Sequence, residues 1–246
     1  MVRLEKSKVL GRMIRKDDLN ELVVPTWKKI KAAIEAGRTQ EALDLADYLP
    51  VEGSRLNDMT CDNIWGYMTW IANNIGEEEV YRALREVSMA EQHYKMLQQL
   101  TPEEFVQLRA ESIRVHRVSS EGMGDDAITE EEDRYVISMN PCGSGGRMRR
   151  KGRMEPPFNY GKTKKAYPWS WGRVGIPYYC LHCCVWSEIM PIEWFGYPQR
   201  VTSFSDNPND PCIWYVYKKP ELIPEEYFTR VGKKKDLSRI KKSLLR

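Results

Sequence analysis

The sequence predicts an α+β protein in which a helical N-terminal half packs on a small mixed α/β, cysteine-rich C-terminal half. Apolar residues recur at helical spacing through the first 120 residues, and 11 of the 14 prolines lie in residues 141–224. Segments of alternating β-branched and aromatic residues follow residue 130. We therefore divide the chain into a helical region 1–120, a cysteine- and tryptophan-rich α+β region 121–232 and a basic tail 233–246.

Helices are expected throughout the first region. Pro25 suits a first helical turn, and Gly37 ends the apolar stripe that follows it. A second, short helix stops before Pro50, and a longer one begins near Asp58. Gly76 separates that helix from the next one, which carries the sequence EEEVYRALREVSMAEQHYKMLQQL.

A capping box marks the last helix of this region. In TPEE (101–104), Thr101 can cap the helix and Pro102 fits its first turn, while Glu104 can reach back to the cap amide. This pattern predicts a helix from there to about His116.

Three segments beyond residue 130 have the pattern of strands. They are RYVISM (134–139), RVTSF (200–204) and CIWYVYK (212–218), and the last has the strongest β propensity because aromatic and β-branched residues alternate in it. The preceding EGMGDD (121–126) is expected to be a loop.

Composition and charge narrow the class of protein. The chain has 246 residues, 41% of them hydrophobic, and a net charge of +3, which is too small to indicate a nucleic-acid-binding surface. It contains no run near the roughly 18 apolar residues of a membrane span, and its N-terminus lacks the apolar core of a signal peptide. We expect a cytoplasmic protein. The basic run 147–153 is the one charged segment that suits an anionic ligand, because it follows a glycine-rich turn.

Five of the six cysteines lie after residue 140, whereas Cys61 is expected to be a buried structural residue. The first of the five, Cys142, opens the sequence CGSGG directly after a predicted strand. Glycines permit backbone conformations in which successive amides converge on an anion or oxyanion beside the Cys142 thiol. The alternative is an ordinary turn at the end of a strand. The candidate ligand-binding residues of this turn are Gly143, Ser144, Gly145, Gly146 and Arg147.

A second cysteine cluster lies in GIPYYCLHCCVWSE (175–188). In a regular helix, Cys180, Cys184 and Glu188 would share one face, and His182 would point away from Cys180. The spacing of Cys180 and Cys183 also fits a zinc knuckle. That alternative gives a zinc or iron site with the candidate ligands Cys142, Cys180, Cys183, Cys184 and Cys212.

Glu193 and the tryptophans complete the candidate site. Glu193 has apolar neighbours in the sequence, so burial would raise its pKa and suit it to proton transfer, although exposure beside a turn fits equally well. Trp169 and Trp171 belong to a group of five tryptophans in this region. They either line a pocket for a flat ligand or build the core.

The pattern over residues 134–218 resembles the L-2-amino-thiazoline-4-carboxylic acid hydrolase-like family. The features are a cysteine after a strand, Gly-x-Pro before a cysteine cluster with a downstream acid, Arg-Val in a short strand, and Pro-Cys-x-Trp-x-x-Tyr. The resemblance implies a small cytosolic bacterial protein that opens a thiazoline ring by hydrolysis. The cysteines that match the family are Cys142, Cys180, Cys183 or Cys184, and Cys212. The segment 143–172 departs from the family as an insertion.

These features favour a hydrolase or lyase that acts on a C–N or C–S bond of a small heterocyclic or carboxylate-bearing substrate. Cys142 would be the nucleophile, and the amides of residues 143–146 would stabilise the oxyanion. His182, Glu188 or Glu193 would transfer protons, and Arg147 would bind a substrate carboxylate. The alternatives are a Cys/His-ligated zinc or iron enzyme and a non-catalytic ligand-sensing or assembly subunit. The expected partners are a small-molecule substrate and a second copy of the chain, with neither nucleic acid nor membrane.

Overall fold

The fold is described by a computed structural model over residues 3–87, 96–97, 99–116 and 126–244. Its helices and strands confirm the predicted α+β class. Contacts divide the chain into two units, one made of residues up to 59 and a segment from 114, the other of residues 60–113 and those from 124 onward. This division falls inside a helix, whereas the predicted boundary followed the change in composition near residue 120.

The first unit begins with an antiparallel hairpin that the sequence analysis did not predict. Arg15 in its second strand donates hydrogen bonds to Thr26 Oγ1 and to the Val24 carbonyl oxygen, both at 2.7 Å. These bonds fasten the hairpin to the start of the first helix, which follows Pro25 as expected. The elements are β1 (Arg3–Lys6), β2 (Met13–Lys16) and α1 (Thr26–Glu35).

A single helix, α2 (Thr39–Asn74), runs through Pro50, where the sequence analysis expected a break. A proline inside a helix costs about 3 kcal/mol, because it lacks an N–H and crowds the carbonyl four residues earlier. Buried side chains on both sides of the proline offset this cost. Leu45 is 1% exposed before it and Trp65 is fully buried after it, and each such side chain contributes about 1.5–3 kcal/mol. The prediction of two separate helices was therefore wrong.

The capping box before residue 102 is confirmed. Glu104 Oε2 accepts a hydrogen bond from the Thr101 N–H at 2.8 Å, and the Glu104 N–H donates to Thr101 Oγ1 at 3.2 Å. These bonds satisfy amides that a first helical turn would otherwise leave open. Helix α3 (Glu77–Glu86) precedes this box, and α4 (Pro102–His116) follows it. The predicted continuation of α3 over 88–95 lies outside the described residues.

Four antiparallel strands form a sheet in the second unit, and three of them lie where strands were predicted. The fourth spans only four exposed residues, too few to give a clear pattern in the sequence. The register pairs Met139 with Cys212, which brings Cys212 near the end of the strand that precedes Cys142. In order across the sheet, the strands are β3 (Ala127–Glu130), β4 (Arg134–Met139), β6 (Cys212–Tyr217) and β5 (Val201–Ser203).

Helical segments between β4 and β6 are short, as the many prolines predict. The longest run extends from Tyr178 to Phe195 and changes type three times along its length. It consists of a 3₁₀ turn (Tyr178–Cys180), α6 (Leu181–Cys184), a π-helical turn (Val185–Ile189) and α7 (Met190–Phe195), and it is preceded by α5 (Gly145–Arg150).

Two helices follow the sheet, α8 (Glu226–Thr229) and α9 (Leu237–Leu244). The second lies in the predicted basic tail, and its Ile240 is fully buried in the core of the second unit. The tail is therefore anchored by an apolar side chain. Within the described residues, none of the helices combines the length and the apolar composition that crossing a membrane requires.

Candidate active site

Four cysteines from distant parts of the sequence lie near one another in the second unit. Burial raises the pKa of Cys180 and of Cys212 well above that of an ordinary thiol, and the nearby sulfurs of Cys142 and Cys183 raise both values further. Cys142 and Cys212 are partly exposed. The turn after β4, the helical run and the start of β6 thus contribute to one group of thiols, called here the thiol cluster (Cys142, Cys180, Cys183 and Cys212).

Cys183 differs from the rest of the thiol cluster because two basic side chains contact its sulfur. His182 Nε2 lies 3.4 Å from Cys183 Sγ, and Arg200 Nη2 lies 3.5 Å from it. Burial alone would raise the pKa of Cys183, but the charges and hydrogen bonds of His182 and Arg200 outweigh burial and lower the pKa to about 6. The sulfur is therefore largely a thiolate at neutral pH.

His182 is oriented by the backbone of its own helical run. Its Nδ1 lies 2.6 Å from the Tyr179 carbonyl oxygen, which can only accept, so Nδ1 carries a proton and Nε2 faces the Cys183 sulfur. Burial would lower the pKa of His182, but the Cys183 sulfur and the Tyr179 carbonyl raise it above its ordinary value. The Tyr179 ring packs edge-on against the imidazole at 5.0 Å between centroids. His182 and Cys183 therefore form an ion-pair-like couple.

Arg200 is held in place from two sides. Its guanidinium carbon lies 3.6 Å from the ring centroid of Trp214, and its Nη1 donates to Thr202 Oγ1 at 3.1 Å. Thr202 and Trp214 are paired between β5 and β6, so the sheet fixes both supports. Arg200 is only 5% exposed, which limits how far water can screen its charge from Cys183.

Cys142 and Cys61 have other neighbours. Cys142 Sγ lies 3.6 Å from Ser144 Oγ. Cys61 is 1% exposed, and its Sγ lies 3.2 Å from the Tyr179 hydroxyl. Cys61 thus occupies a buried position, as the sequence analysis expected, and it borders the same tyrosine that orients His182.

The glycines after Cys142 do not have the backbone conformations that were predicted for them. Gly143, Gly145 and Gly146 all have negative φ angles, and Gly145 begins helix α5. Their missing side chains make room for the thiol cluster. A Cβ on Gly145 would lie 2.8 Å from Cys180 Sγ, and one on Gly146 would lie 2.9 Å from Cys142 Cβ. The expectation of special backbone conformations was wrong, and close packing accounts for these two glycines instead.

We expect Gly145→Ala to lower the free energy of unfolding by about 1–3 kcal/mol, the usual cost of overpacking a core. The added methyl would also meet Tyr179 Cδ1 at 3.0 Å, so it has little room to shift. The matched control is Gly66→Ala in α2, where the nearest atom lies at an ordinary 3.5 Å and the change should be neutral or stabilising. Urea unfolding of both variants measures the difference, and equal stabilities would contradict this packing.

Three arginines of the basic run 147–153 donate to backbone carbonyls, and Arg153 pairs with the Asp62 carboxylate at 2.7 Å. Arg147 is 1% exposed, and its Nε donates to the Gly143 carbonyl oxygen at 2.8 Å. Arg149 and Arg150 donate to carbonyls of the loop 205–208 at 3.0 and 2.8 Å. The run thus joins α5 to the loop after β5, and little of the Arg147 surface is left for a substrate carboxylate.

Glu188 is completely buried and its carboxylate accepts three hydrogen bonds. Oε1 accepts from Trp171 Nε1 at 3.0 Å and from the Thr202 N–H at 2.8 Å, while Oε2 accepts from Arg230 Nη2 at 2.7 Å. Burial raises its pKa, and these donors partly offset the increase. Cys184 lies on this side of the helical run, where burial and then Glu188 raise its pKa. The carboxylate thus joins the helical run to β5.

Glu193 does not have the apolar surroundings that would suit it to proton transfer. Arg85 Nη1 lies 2.7 Å from one carboxylate oxygen and Lys233 Nζ lies 2.6 Å from the other. Burial would raise the pKa of Glu193, but Lys233 and Arg85 lower it below its ordinary value. Of the two alternatives for Glu193, the one in which burial raises its pKa is wrong, because the cations come from segments that are distant in the sequence.

Trp169 and Trp171 are core residues, each 6% exposed. Trp169 stacks on Tyr167 with ring centroids 4.2 Å apart, and Trp171 stacks on Phe204 at 5.8 Å while donating to Glu188. Of the two interpretations of these tryptophans, the packing supports the one in which they build the core.

Arg200, which contacts Cys183, was not among the predicted site residues, and neither were Thr202 and Trp214, which hold it in place. The only signals were Arg-Val at the start of a strand and a tryptophan in an alternating strand pattern, and neither indicates a contact with Cys183. For the metal alternative, the described part of the chain contains no group of three or more His, Cys, Asp or Glu placed to hold a metal ion.

Comparison with known proteins identified no relative of this chain. No protein-family model matches the chain, and no curated protein or solved structure is significantly similar to it. The resemblance to the thiazoline hydrolase-like family therefore stays an expectation drawn from the motifs of residues 134–218.

Proposed function

We propose that the protein is a thiol hydrolase or lyase that cleaves a C–N or C–S bond of a small heterocyclic or carboxylate-bearing substrate, with Cys183 as nucleophile. The observation that carries this proposal is the position of Cys183 Sγ between His182 Nε2 and Arg200 Nη2. A neighbouring base and a fixed cation are the usual means of activating a cysteine. This geometry favours Cys183 over Cys142.

The proposed reaction uses each group at a stated atom. The Cys183 thiolate attacks an electrophilic ring carbon, such as the C2 atom of a thiazoline, and forms a covalent adduct. The protonated Nε2 of His182 gives its proton to the leaving nitrogen or sulfur. The neutral imidazole then takes a proton from water, which displaces Cys183 and restores the thiolate. In a lyase, elimination from the adduct would replace the attack by water.

Arg200 and Trp214 would stabilise the charge that develops on the substrate. The Arg200 guanidinium already contacts the attacking sulfur, so it also lies close to the bond that breaks. Trp214 Nε1 is buried and donates no hydrogen bond to the described residues. It therefore offers a donor to a bound oxygen or carboxylate beside Arg200. In this proposal Arg200 and Trp214, in place of Arg147 and the glycine amides, bind the substrate carboxylate and stabilise the oxyanion.

The proposal is tested by incubating the protein with 2-amino-thiazoline-4-carboxylate and measuring the loss of this substrate by chromatography. We expect the wild-type protein to consume the substrate and Cys183→Ser to lose at least about 10³-fold in rate, as for other activated nucleophiles. Cys142→Ser is the matched control, because it removes another thiol of the cluster and should keep most of the activity. Full activity of Cys183→Ser together with loss in Cys142→Ser would restore Cys142 as nucleophile.

The same samples test the two alternatives. About one equivalent of zinc or iron per chain in elemental analysis of active protein would favour the metal enzyme. Failure to turn over any thiazoline, together with a stable complex on co-purification, would favour a sensing or assembly subunit. A cytoplasmic location belongs to the same proposal, since none of the six cysteines forms a disulfide and reduced thiols persist most readily in a reducing compartment.

A further inference from the structure

Cys180 and Cys183 form a CxxC pair at the start of the helical run. Cys180 ends the 3₁₀ turn and Cys183 lies in α6, so the two residues are three positions apart on a continuous helical backbone. Residues at this spacing lie on the same side of a helix, and in 3₁₀ geometry they eclipse each other. The sulfur of Cys183 is close enough to raise the pKa of Cys180.

The two members of the pair differ in their surroundings. Cys183 has His182 and Arg200 within 3.5 Å of its sulfur, whereas the Cys180 sulfur lies beside Gly145 in a buried position, where burial and neighbouring cysteine sulfurs raise its pKa. The first environment stabilises a thiolate and the second a protonated thiol. One thiolate beside one neutral thiol is the arrangement needed for a nucleophile and a resolving cysteine.

We propose that Cys183 reduces small hydroperoxides and that Cys180 resolves the product as a Cys180–Cys183 disulfide. The inference shares its thiolate with the proposed hydrolase but does not depend on hydrolysis. Both cysteines are 9% exposed, so a small hydroperoxide reaches them more readily than a bulky disulfide would. Arg200 supplies positive charge beside the oxygen that leaves.

The two steps balance in atoms and electrons. The Cys183 thiolate attacks the terminal oxygen of ROOH, the O–O bond breaks, and the proton of His182 Nε2 neutralises the departing alkoxide as ROH. Cys183 is now a sulfenic acid. The Cys180 sulfur attacks the Cys183 sulfur, the S–O bond breaks, and the Cys180 proton leaves with the hydroxide as water. The hydroperoxide is reduced by two electrons, and the two thiols are oxidised to a disulfide.

Cys180 precedes Cys183 by about one helical turn, and a disulfide between them requires a local movement. Disulfides need Cβ atoms about 3.5–4.5 Å apart, and neighbouring positions on an α-helical face are about 5–6 Å apart. A 3₁₀ turn does not bring them closer, because its rise of about 2.0 Å per residue puts positions three apart about 6 Å from each other. Unwinding the 3₁₀ turn that ends at Cys180 would free the Cys180 side chain to approach Cys183. The two cysteines can therefore pair without unfolding the rest of the run.

The test treats the folded wild-type protein with one equivalent of hydrogen peroxide and maps its thiols by peptide mass spectrometry. We expect the peptide 174–200 to lose the mass of two hydrogens and to regain it on reduction with dithiothreitol. Cys180→Ser should instead accumulate a sulfenic acid at Cys183, which dimedone traps. Cys184→Ser is the control, because Cys184 faces the Glu188 side and its loss should leave the disulfide unchanged.

Two outcomes would overturn the inference. The first is a folded wild-type protein in which peroxide leaves Cys183 unmodified. The second is a disulfide that joins Cys183 to Cys142, Cys184 or Cys212 while Cys180 stays reduced. No thiazoline is present in this assay, so its failure does not affect the hydrolase proposal, and failure of hydrolysis does not affect peroxide reduction. Because the wild-type result needs no variant, a poorly folded Cys180→Ser protein would still leave the inference testable.

Discussion

Glu188→Ala is expected to lower the free energy of unfolding by about 3–5 kcal/mol, the cost of removing one member of a buried, hydrogen-bonded charge pair. The change leaves the Trp171 indole and the Thr202 amide without the oxygen that accepts their hydrogen bonds, and it removes one of the two oxygens that accept from Arg230 Nη2. Each unsatisfied buried donor carries its own desolvation cost. Urea denaturation followed by tryptophan fluorescence measures the loss.

Two further variants show how much of this loss comes from the charge of Glu188 and how much from its burial. Glu188→Gln keeps the side-chain volume and one oxygen acceptor, so we expect it to be less damaging than alanine. Glu193→Ala removes a carboxylate that has two cationic partners but is 27% exposed. It should lower the free energy of unfolding by about 1 kcal/mol or less. Equal losses in Glu188→Ala and Glu193→Ala would show that Glu188 does not hold the helical run to β5.

Alkylation of Cys183 by iodoacetamide is expected to reach half its maximal rate near pH 6. The reason is that His182 and Arg200 lower the pKa of this thiol to about 6, so the thiolate is lost only as the pH falls through that value. An ordinary cysteine has a pKa of about 8.5 and would give its midpoint there. Rates measured at Cys183 by peptide mass spectrometry between pH 5 and pH 9 provide the profile.

Arg200→Met should move this midpoint upward by more than one pH unit, because burial then acts on the thiolate with only His182 to oppose it. Well below pH 6 the alkylation rate would fall about tenfold for each unit of the shift. Arg149→Met is the matched control, since Arg149 bonds to the loop after β5 and does not contact Cys183. A midpoint that stays near pH 6 in Arg200→Met would contradict the role given to this arginine.

The parts of the fold that the sequence predicted depend on residues close together in the chain. The capping box at Thr101 and Glu104 involves neighbours three positions apart, and the strands show alternation within six residues. The passage of α2 through Pro50 could not be predicted in this way, because the burial that stabilises it comes from packing of distant residues. The hairpin β1–β2 was not predicted for a different reason, because its strands are short and mostly exposed and show no clear alternation.

The cysteine segments that the sequence singled out lie close together in the structure, but the contacts within them differ from the predicted ones. The sequence singled out Cys142 and the 180–188 cluster, and the structure brings thiols from both into one cluster. Assigning the thiolate to Cys183 requires Arg200, which reaches it only through the connection from α7 to β5. The regular helix assumed for the cluster also differs from the 3₁₀, α and π segments that the structure has there.

The π-helical turn Val185–Ile189 has a consequence for insertions and deletions. A π turn holds one residue more than an α turn, so deleting a single residue within it would convert it to regular helix. Both kinds of turn go once around the helix axis, so the deletion would leave the angular phase between Cys183 and the side chains of α7 nearly unchanged. A chain shortened by one residue here would keep both flanking helices and bury the same α7 face. A deletion inside α6 or α7 would instead rotate every following side chain by about 100°, so the π turn is the place in the run where a change of length costs the least packing.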